Sequence, residues 1–148
     1  MSSLRQRAIR LLAQREHTKL ELARKLAAHG TSDEIDTVLA ELETSQLQSD
    51  ARFAEAYVRS QARRLGASRL RQNLKTRGVN GELIDMQLAQ GALPDELERA
   101  RAVWIGKFSV APGDAREWAR QARFLQSRGF ATDIIRKLLK DPMGGVDE

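Results

Sequence analysis

Leu74-Lys75-Thr76-Arg77-Gly78 decides the fold of this chain, because the same pattern stands on either side of it. Leu26-Ala27-Ala28-His29-Gly30 precedes it and Leu125-Gln126-Ser127-Arg128-Gly129 follows it. In each case a leucine lies four residues before a glycine. An aliphatic residue lies five after that glycine (Ile35, Leu83, Ile134), and Val38, Met86 and Leu138 come eight or nine after it. A leucine one turn before a glycine reads as the last buried turn of a helix, stopped by a residue that tolerates left-handed backbone. The glycines are 48 and then 51 residues apart, and recurrence at a near-constant spacing marks a repeat array.

Working outward from these stops, the apolar spacing is helical. Ile9, Leu12 and Ala13 follow the three-and-four rule, as do Leu20, Ala23, Leu26 and Ala27, and again Ile35, Val38, Leu39 and Leu42. No stretch alternates with the period of two that a half-buried strand needs. Thr18-Lys19-Leu20-Glu21 reads as a capping box, with Gly30 as the left-handed residue after that helix. Thr31-Ser32-Asp33-Glu34 opens a helix to about Glu43. Ser49 or Asp50 caps one through Arg64, closed by Gly66; Ser68 opens the next, ended by Gly78; Asn80 caps one running to Gln90. Pro94 suits the first position of a helix to about Phe108. Pro112-Gly113-Asp114 turns into a helix to Arg128, and Thr132 caps the last, which stops before Asp141-Pro142. The expectation is an all-α fold: a tandem array of three three-helix repeats, elongated and curved. The repeats are placed at residues 1–48, 49–91 and 92–141, with a disordered tail at 142–148. Bends are expected at Gln46–Ser49 and Gly91–Pro94. A module of this size has a small core and needs its neighbours for stability.

Composition supports that reading and excludes others. Of 148 residues, 30% are charged, 5% are aromatic, and none is cysteine. Disulfides and thiolate chemistry are therefore absent, which fits a reducing cytosol. The start carries alternating charge instead of an apolar leader, and no run of apolar residues is long enough to span a membrane. A cytoplasmic monomer is expected.

Catalytic chemistry has little to stand on. His17 lies at a helix junction, and His29 precedes a helix stop, where an imidazole interacts well with the helix end. No paired histidines or cysteines offer a zinc site. Gly78-Val79-Asn80-Gly81 lacks the lysine and the preceding strand of a phosphate loop. Asp33-Glu34 and Asp95-Glu96 sit in first helical turns, where the dipole favours carboxylates. No enzyme, metal or cofactor is expected.

Charge distribution points to binding. The chain carries a net +5 and has a pI of about 10.1. Residues 1–48 are neutral, whereas residues 49–91 hold eight basic and four acidic groups. Between Glu55 and Glu82 no acid occurs, and that stretch contains Arg59, Arg63, Arg64, Arg69, Arg71, Lys75 and Arg77. On a helix Arg59 and Arg63 share a face, as do Arg71 and Lys75. Such stripes neutralise phosphates or meet an acidic protein surface, while a merely solvated face would carry compensating acids. Arg120, Arg123 and Arg128 extend the basic set in the third repeat. Phe53 and Tyr57 read as core. Phe130, after a turn glycine, is less obliged to be buried, and Trp104 and Trp118 read as packing anchors between modules.

An ordered set of segments resembles the RecX family of recombination regulators. It comprises Ala8-Ile9-Arg10-Leu11-Leu12-Ala13-Gln14-Arg15-Glu16-His17-Thr18, Glu21-Leu22, Lys25-Leu26 and Leu47-Gln48-Ser49-Asp50-Ala51-Arg52-Phe53-Ala54 with Tyr57-Val58. Gly66 with Arg69-Leu70, Leu74-Lys75-Thr76-Arg77-Gly78-Val79 and Phe124-Leu125-Gln126-Ser127-Arg128-Gly129-Phe130 complete it. Two departures are Gly66-Ala67-Ser68, where the family has Gly-x-Gly, and His17-Thr18, where an aromatic or His before Ser is common. The resemblance implies a modulator of RecA: three tandem three-helix repeats lying in the groove of the RecA–DNA filament. It implies inhibition of strand exchange, ATP hydrolysis and coprotease function, and so regulation of homologous recombination, DNA repair and the SOS response. The RecA filament is then the partner, with DNA met as part of it. Two other functions remain open at this point: a sequence-independent DNA-binding protein acting without a recombinase, and a helical adaptor for an acidic protein.

Overall fold

The computed structural model describes residues 3–89 and 93–144, and every regular element among them is helical. The order is α1 (Leu4–Gln14), α2 (Lys19–Leu26), α3 (Ser32–Thr44), α4 (Asp50–Gln61), α5 (Ala67–Thr76), α6 (Gly81–Leu88), α7 (Glu96–Lys107), α8 (Ala115–Ser127) and α9 (Thr132–Lys140). They fall into three triplets, as the repeat predicts. The expected helix end at Gln90, Gly91-Ala92 of the second bend, and residues 145–148 of the tail lie outside the described residues.

Local chemistry starts most of these helices where the sequence places them. Ser3, Thr18 and Thr31 form capping boxes with Gln6, Glu21 and Glu34, each satisfying otherwise orphaned amides. Ser49 Oγ accepts from Arg52 N at 3.0 Å, Asn80 Oδ1 from Leu83 N at 2.9 Å, and Asp114 Oδ1 from Glu117 N at 2.8 Å. Three starts differ from expectation. Glu96, not Pro94, is the first residue of α7; Asp95 is its N-cap without a side-chain bond. Ala131 occupies the N-cap of α9, so Thr132 is already helical. Ser68 lies inside α5.

The glycine stops differ more instructively. Gly78 and Gly129 have φ of 90° and 89°, whereas Gly30 is not left-handed. Val79 N bonds Leu74 O (3.1 Å) and Gly78 N bonds Lys75 O (3.0 Å); Phe130 N bonds Leu125 O (3.2 Å) and Gly129 N bonds Gln126 O (2.9 Å). These are paired Schellman turns. The first triplet has one residue fewer between the buried leucine and the next N-cap: Leu26 to Thr31, against Leu74 to Asn80 and Leu125 to Ala131. His29 therefore aligns with the left-handed glycines, and Gly30 aligns with the buried Val79 and Phe130. The space is taken by Leu4, whose Cδ1 would lie 2.6 Å from a Cβ at position 30. The same offset explains why Ile84 and Ile135 are buried rather than their neighbours Leu83 and Ile134, while Ile35 keeps the expected register. Phe130 is thus a core residue, contrary to the reading that its turn leaves it less buried.

The chain separates into two compact units, Met1–Tyr57 with Leu74–Met86, and Val58–Asn73 with Gln87–Glu148. In the first unit Ala8, Leu22, Leu26, Ile35, Leu39 and Leu42 form a closed core from α1, α2 and α3. In the second, Ala100, Trp104, Leu125, Phe130, Ile135, Leu138 and Leu139 do so from α7, α8 and α9. Trp104 therefore anchors packing within one triplet, and its indole Nε1 donates to Gln121 Oε1 at 2.8 Å. Trp118 remains 37% exposed.

One joint is built twice, once in each unit. In the first, Thr18 Oγ1 donates to Arg77 O (2.6 Å) and Lys19 N donates to Asp50 Oδ1 (3.0 Å). In the second, Gly66 N donates to Arg128 O (2.7 Å) and Ala67 N donates to Glu96 Oε1 (3.4 Å). The positions correspond: the two residues opening the middle helix of one triplet meet the carbonyl before the next triplet's turn glycine and a carboxylate on the first residue of its first helix. The turn glycines themselves press against Leu20 and Arg69, one residue apart in this register.

Candidate interaction surfaces

The acid-free segment is placed on α4, the turn after it, and α5. Helix α4 stops at Gln61, short of the expected Arg64, so Arg63 and Arg64 stand in the turn and Arg63 does not continue the helical face of Arg59. The turn is held by a residue of the second unit. Arg99 of α7 is 8% exposed, and its Nε and Nη2 donate to Ala62 O (3.0 Å) and Leu65 O (2.7 Å). A guanidinium thus takes carbonyls that would otherwise be orphaned past a helix C-terminus. Burial pulls its pKa below the ordinary arginine value, opposed by Glu96 and Asp95, and it remains a cation at neutral pH. Arg99 was not singled out from sequence, where Glu96-Leu97-Glu98-Arg99 looks like a solvated helix face.

The second unit exposes Arg59, Arg63, Arg64 and Arg69, with Arg71 partly covered. Arg63, Arg64 and Arg69 make no ion pair among the described residues. The first unit contributes exposed Lys75, likewise without an ion pair, and half-buried Arg77. Arg77 is engaged internally. Its guanidinium lies 5.0 Å over the Tyr57 ring and its Nε 3.8 Å from Glu21 Oε2. Tyr57 in turn stacks on buried Phe53, at 5.9 Å between centroids. The expected basic set therefore contains free cations and structural ones.

The third triplet makes the same distinction. Phe108 and Phe124 meet edge to face at 5.4 Å. Lys107 and Arg128 lie over Phe124 at 5.4 and 4.8 Å, and Arg120 lies over Phe108 at 5.1 Å. Arg120 also forms a bidentate pair with Glu117 (3.0 and 2.9 Å), which lowers the Glu117 pKa and raises that of Arg120. Arg123 is exposed. Arg116, four residues before Arg120 on the same helix, shares its side of α8 and is exposed too. Neither Lys107 nor Arg116 was selected from sequence, although the i, i+4 relation of Arg116 to Arg120 was available there. Such cation–aromatic stacks hold long basic side chains extended over apolar rings.

No group of metal-binding side chains occurs among the described residues, and no helix among them is long and apolar enough to cross a membrane.

Comparison with known proteins agrees with the triplets. Profiles described as the first, second and third three-helix domains of RecX match residues 5–42, 49–88 and 94–139. The regulatory protein RecX of Leptothrix cholodnii is 46% identical over 140 residues, covering 93% of this chain and 88% of that one. The regulatory protein RecX of Chromobacterium violaceum is 44% identical over 147 residues, covering 99% and 93%. Two crystal structures share the fold. One, of a regulatory protein RecX, has a TM-score of 0.80 at 23% identity, over 93% of this chain and 71% of that one. The other, RecX from Lactobacillus salivarius, has a TM-score of 0.74 at 19% identity, over 94% of both chains.

Proposed function

The chain belongs to the RecX family of regulatory proteins, and on that premise we propose that it restrains RecA by binding the groove of the RecA–DNA filament. It acts as a monomer in the cytoplasm, without catalysis or cofactor, and lowers the filament's ATPase, strand-exchange and coprotease activities. The modules at 1–48, 49–91 and 92–141 follow the groove, and the middle one makes the electrostatic contact. The observation that supports this most is the combination of an acid-free segment between Glu55 and Glu82 with exposed, unpaired Arg63, Arg64, Arg69 and Lys75. Cations without internal partners are available to phosphates or to an acidic protein lobe, and their contribution weakens with salt.

The test is DNA-dependent ATP hydrolysis by RecA with increasing amounts of this protein at two salt concentrations. Inhibition well below one copy per RecA is expected, and weaker inhibition at the higher salt. The pair Arg63→Glu and Lys75→Glu, checked for helicity, is expected to reduce inhibition about tenfold or more. Unchanged inhibition and salt dependence in that variant would remove the electrostatic role. No inhibition by the unaltered chain, together with tight binding to bare DNA and a steep salt slope, would favour a DNA-binding protein independent of RecA.

A further inference from the structure

A second basic surface lies in the first unit, built from residues that do not belong to the acid-free segment. Helices α1 and α2 flank an open groove of about 500 Å³ with Leu11 and Leu26 among its lining. Arg7 and Arg10 line it from α1, and Lys25 and His29 from α2 and the turn after it. None of the described residues lining it is Asp or Glu. The nearby acids are engaged elsewhere: Glu21 with Arg15 (3.3 Å) and Arg77 (3.8 Å), and Glu16 with Arg52 (3.0 Å).

Helix ends do not account for this charge. Lys25 is in the last turn of α2, where a cation complements the dipole, but α1 has no basic residue in its last turn, so Arg7 and Arg10 serve no such purpose. Lys25 is moreover held in place from below. His17 is 1% exposed, with Nδ1 3.0 Å from Arg15 O and Nε2 3.2 Å from Lys25 Nζ. A carbonyl oxygen only accepts, so Nδ1 carries the proton and Nε2 receives one from the ammonium. A buried imidazole thereby fixes a lysine at the edge of the groove, which lowers the ordering cost of binding there.

We propose that this groove is a docking site for an acidic peptide segment in which leucine-like side chains alternate with carboxylates. Charge complementarity selects an anion, and the apolar floor selects an occupant with an apolar side chain between its charges. In an extended peptide successive side chains point to opposite sides, about 3.3 Å apart along the chain. One apolar side chain can then enter between Leu11 and Leu26, and the long arginine and lysine side chains at the rim reach up past the peptide backbone to the carboxylates flanking it. A nucleic acid strand fits less well, because the lining holds no Phe, Tyr or Trp to stack a base and its apolar floor is leucine.

The experiment uses the full chain and a fluorescein-labelled peptide of alternating Glu and Leu, read by anisotropy. Controls are the same peptide with Ser in place of Leu, and a labelled single-stranded oligodeoxynucleotide. The pair Arg10→Glu and Lys25→Glu is expected to weaken the Glu–Leu peptide about tenfold or more. The pair Arg136→Glu and Lys137→Glu on α9, with the same change in net charge, is expected to leave it within about twofold. The Ser peptide is expected to bind several-fold more weakly. Should the reversal unfold the chain, Arg10→Gln with Lys25→Gln carries the same prediction at smaller amplitude. No binding, equal loss in both reversed pairs, or loss of oligonucleotide but not peptide binding in the groove variant would each overturn the proposal.

Discussion

Replacing Gly129 by alanine puts a methyl group where the structure has no room for one. At φ of 89° an alanine is strained by about 1–2 kcal/mol before any contact is considered. Its Cβ would also overlap the Arg69 Cβ and lie 2.5 Å from Arg69 N and 2.9 Å from Arg69 Cα. Two of these atoms are backbone at the start of α5, so α5 and the α8–α9 turn must part by most of an ångström. Forced overpacking of this kind adds about 1–3 kcal/mol, for a total loss of about 2–5 kcal/mol. With a urea slope of about 2 kcal/mol per M, the midpoint measured by far-UV circular dichroism should fall by about 1–2.5 M. Gly106 provides the opposite case. It lies inside α7, and a Cβ there would meet nothing within 4 Å, so Gly106→Ala should raise stability by about 0.5–1 kcal/mol through helix propensity. If Gly129→Ala moved the midpoint no more than Gly106→Ala does, the close approach and the joint it belongs to would be refuted.

Arg99→Met keeps the bulk of the side chain but leaves Ala62 O and Leu65 O without their donor; a loss of about 2–4 kcal/mol in urea unfolding is expected, and a loss below about 1 kcal/mol would mean water replaces the guanidinium. Gln121→Leu removes the acceptor of the buried Trp104 indole N–H and the donor to Val110 O (3.0 Å); the expected cost is about 1–3 kcal/mol with a shift in tryptophan emission, and unchanged emission would contradict it. Burial holds the His17 pKa below its ordinary value of 6.5, so the unfolded chain takes up this proton first as pH falls. Its contribution is intact above about 6.5 and is lost as pH drops from there toward the folded pKa. Urea midpoints should decline between pH 7.5 and 5.5, and His17→Asn should flatten that decline; parallel slopes in the two proteins would assign it to other groups.

What the sequence made legible was local. Capping boxes at Thr18 and Thr31 and the glycines at 78 and 129 act through residues a few positions apart, so their chemistry is written contiguously. Gly30 misled because a missing residue in the turn shifts the register by one, and that shift is visible only when Leu4 is seen filling the gap. The turn after α4 is held by Arg99, far along the chain, which caps the carbonyls of Ala62 and Leu65, so the local sequence does not show it. The candidate site divides on the same line. The absence of acids between Glu55 and Glu82 can be counted, but whether a cation is free cannot. Arg77 and Arg120 look equivalent to Arg63 and Arg123 until Tyr57, Glu21, Phe108 and Glu117 are brought beside them. The groove of Arg7, Arg10 and Lys25 was missed for the same reason, since it exists only where α1 and α2 pack.

The joint that recurs in both units has an evolutionary corollary. Most of its bonding atoms belong to the main chain: the carbonyls of Arg77 and Arg128, and the amides of Lys19, Gly66 and Ala67. Every residue type supplies those carbonyls, and every one but proline the amides, so mutation can rewrite most side chains along the seam without dissolving it. The requirements that survive are few: a turn residue without a Cβ, and one carboxylate at the head of the following helix, where Asp and Glu have already exchanged places between the two copies. A fold joined in this way can drift far in sequence while its neighbours stay in register, which leaves its outward-facing charges open to selection by whatever they touch.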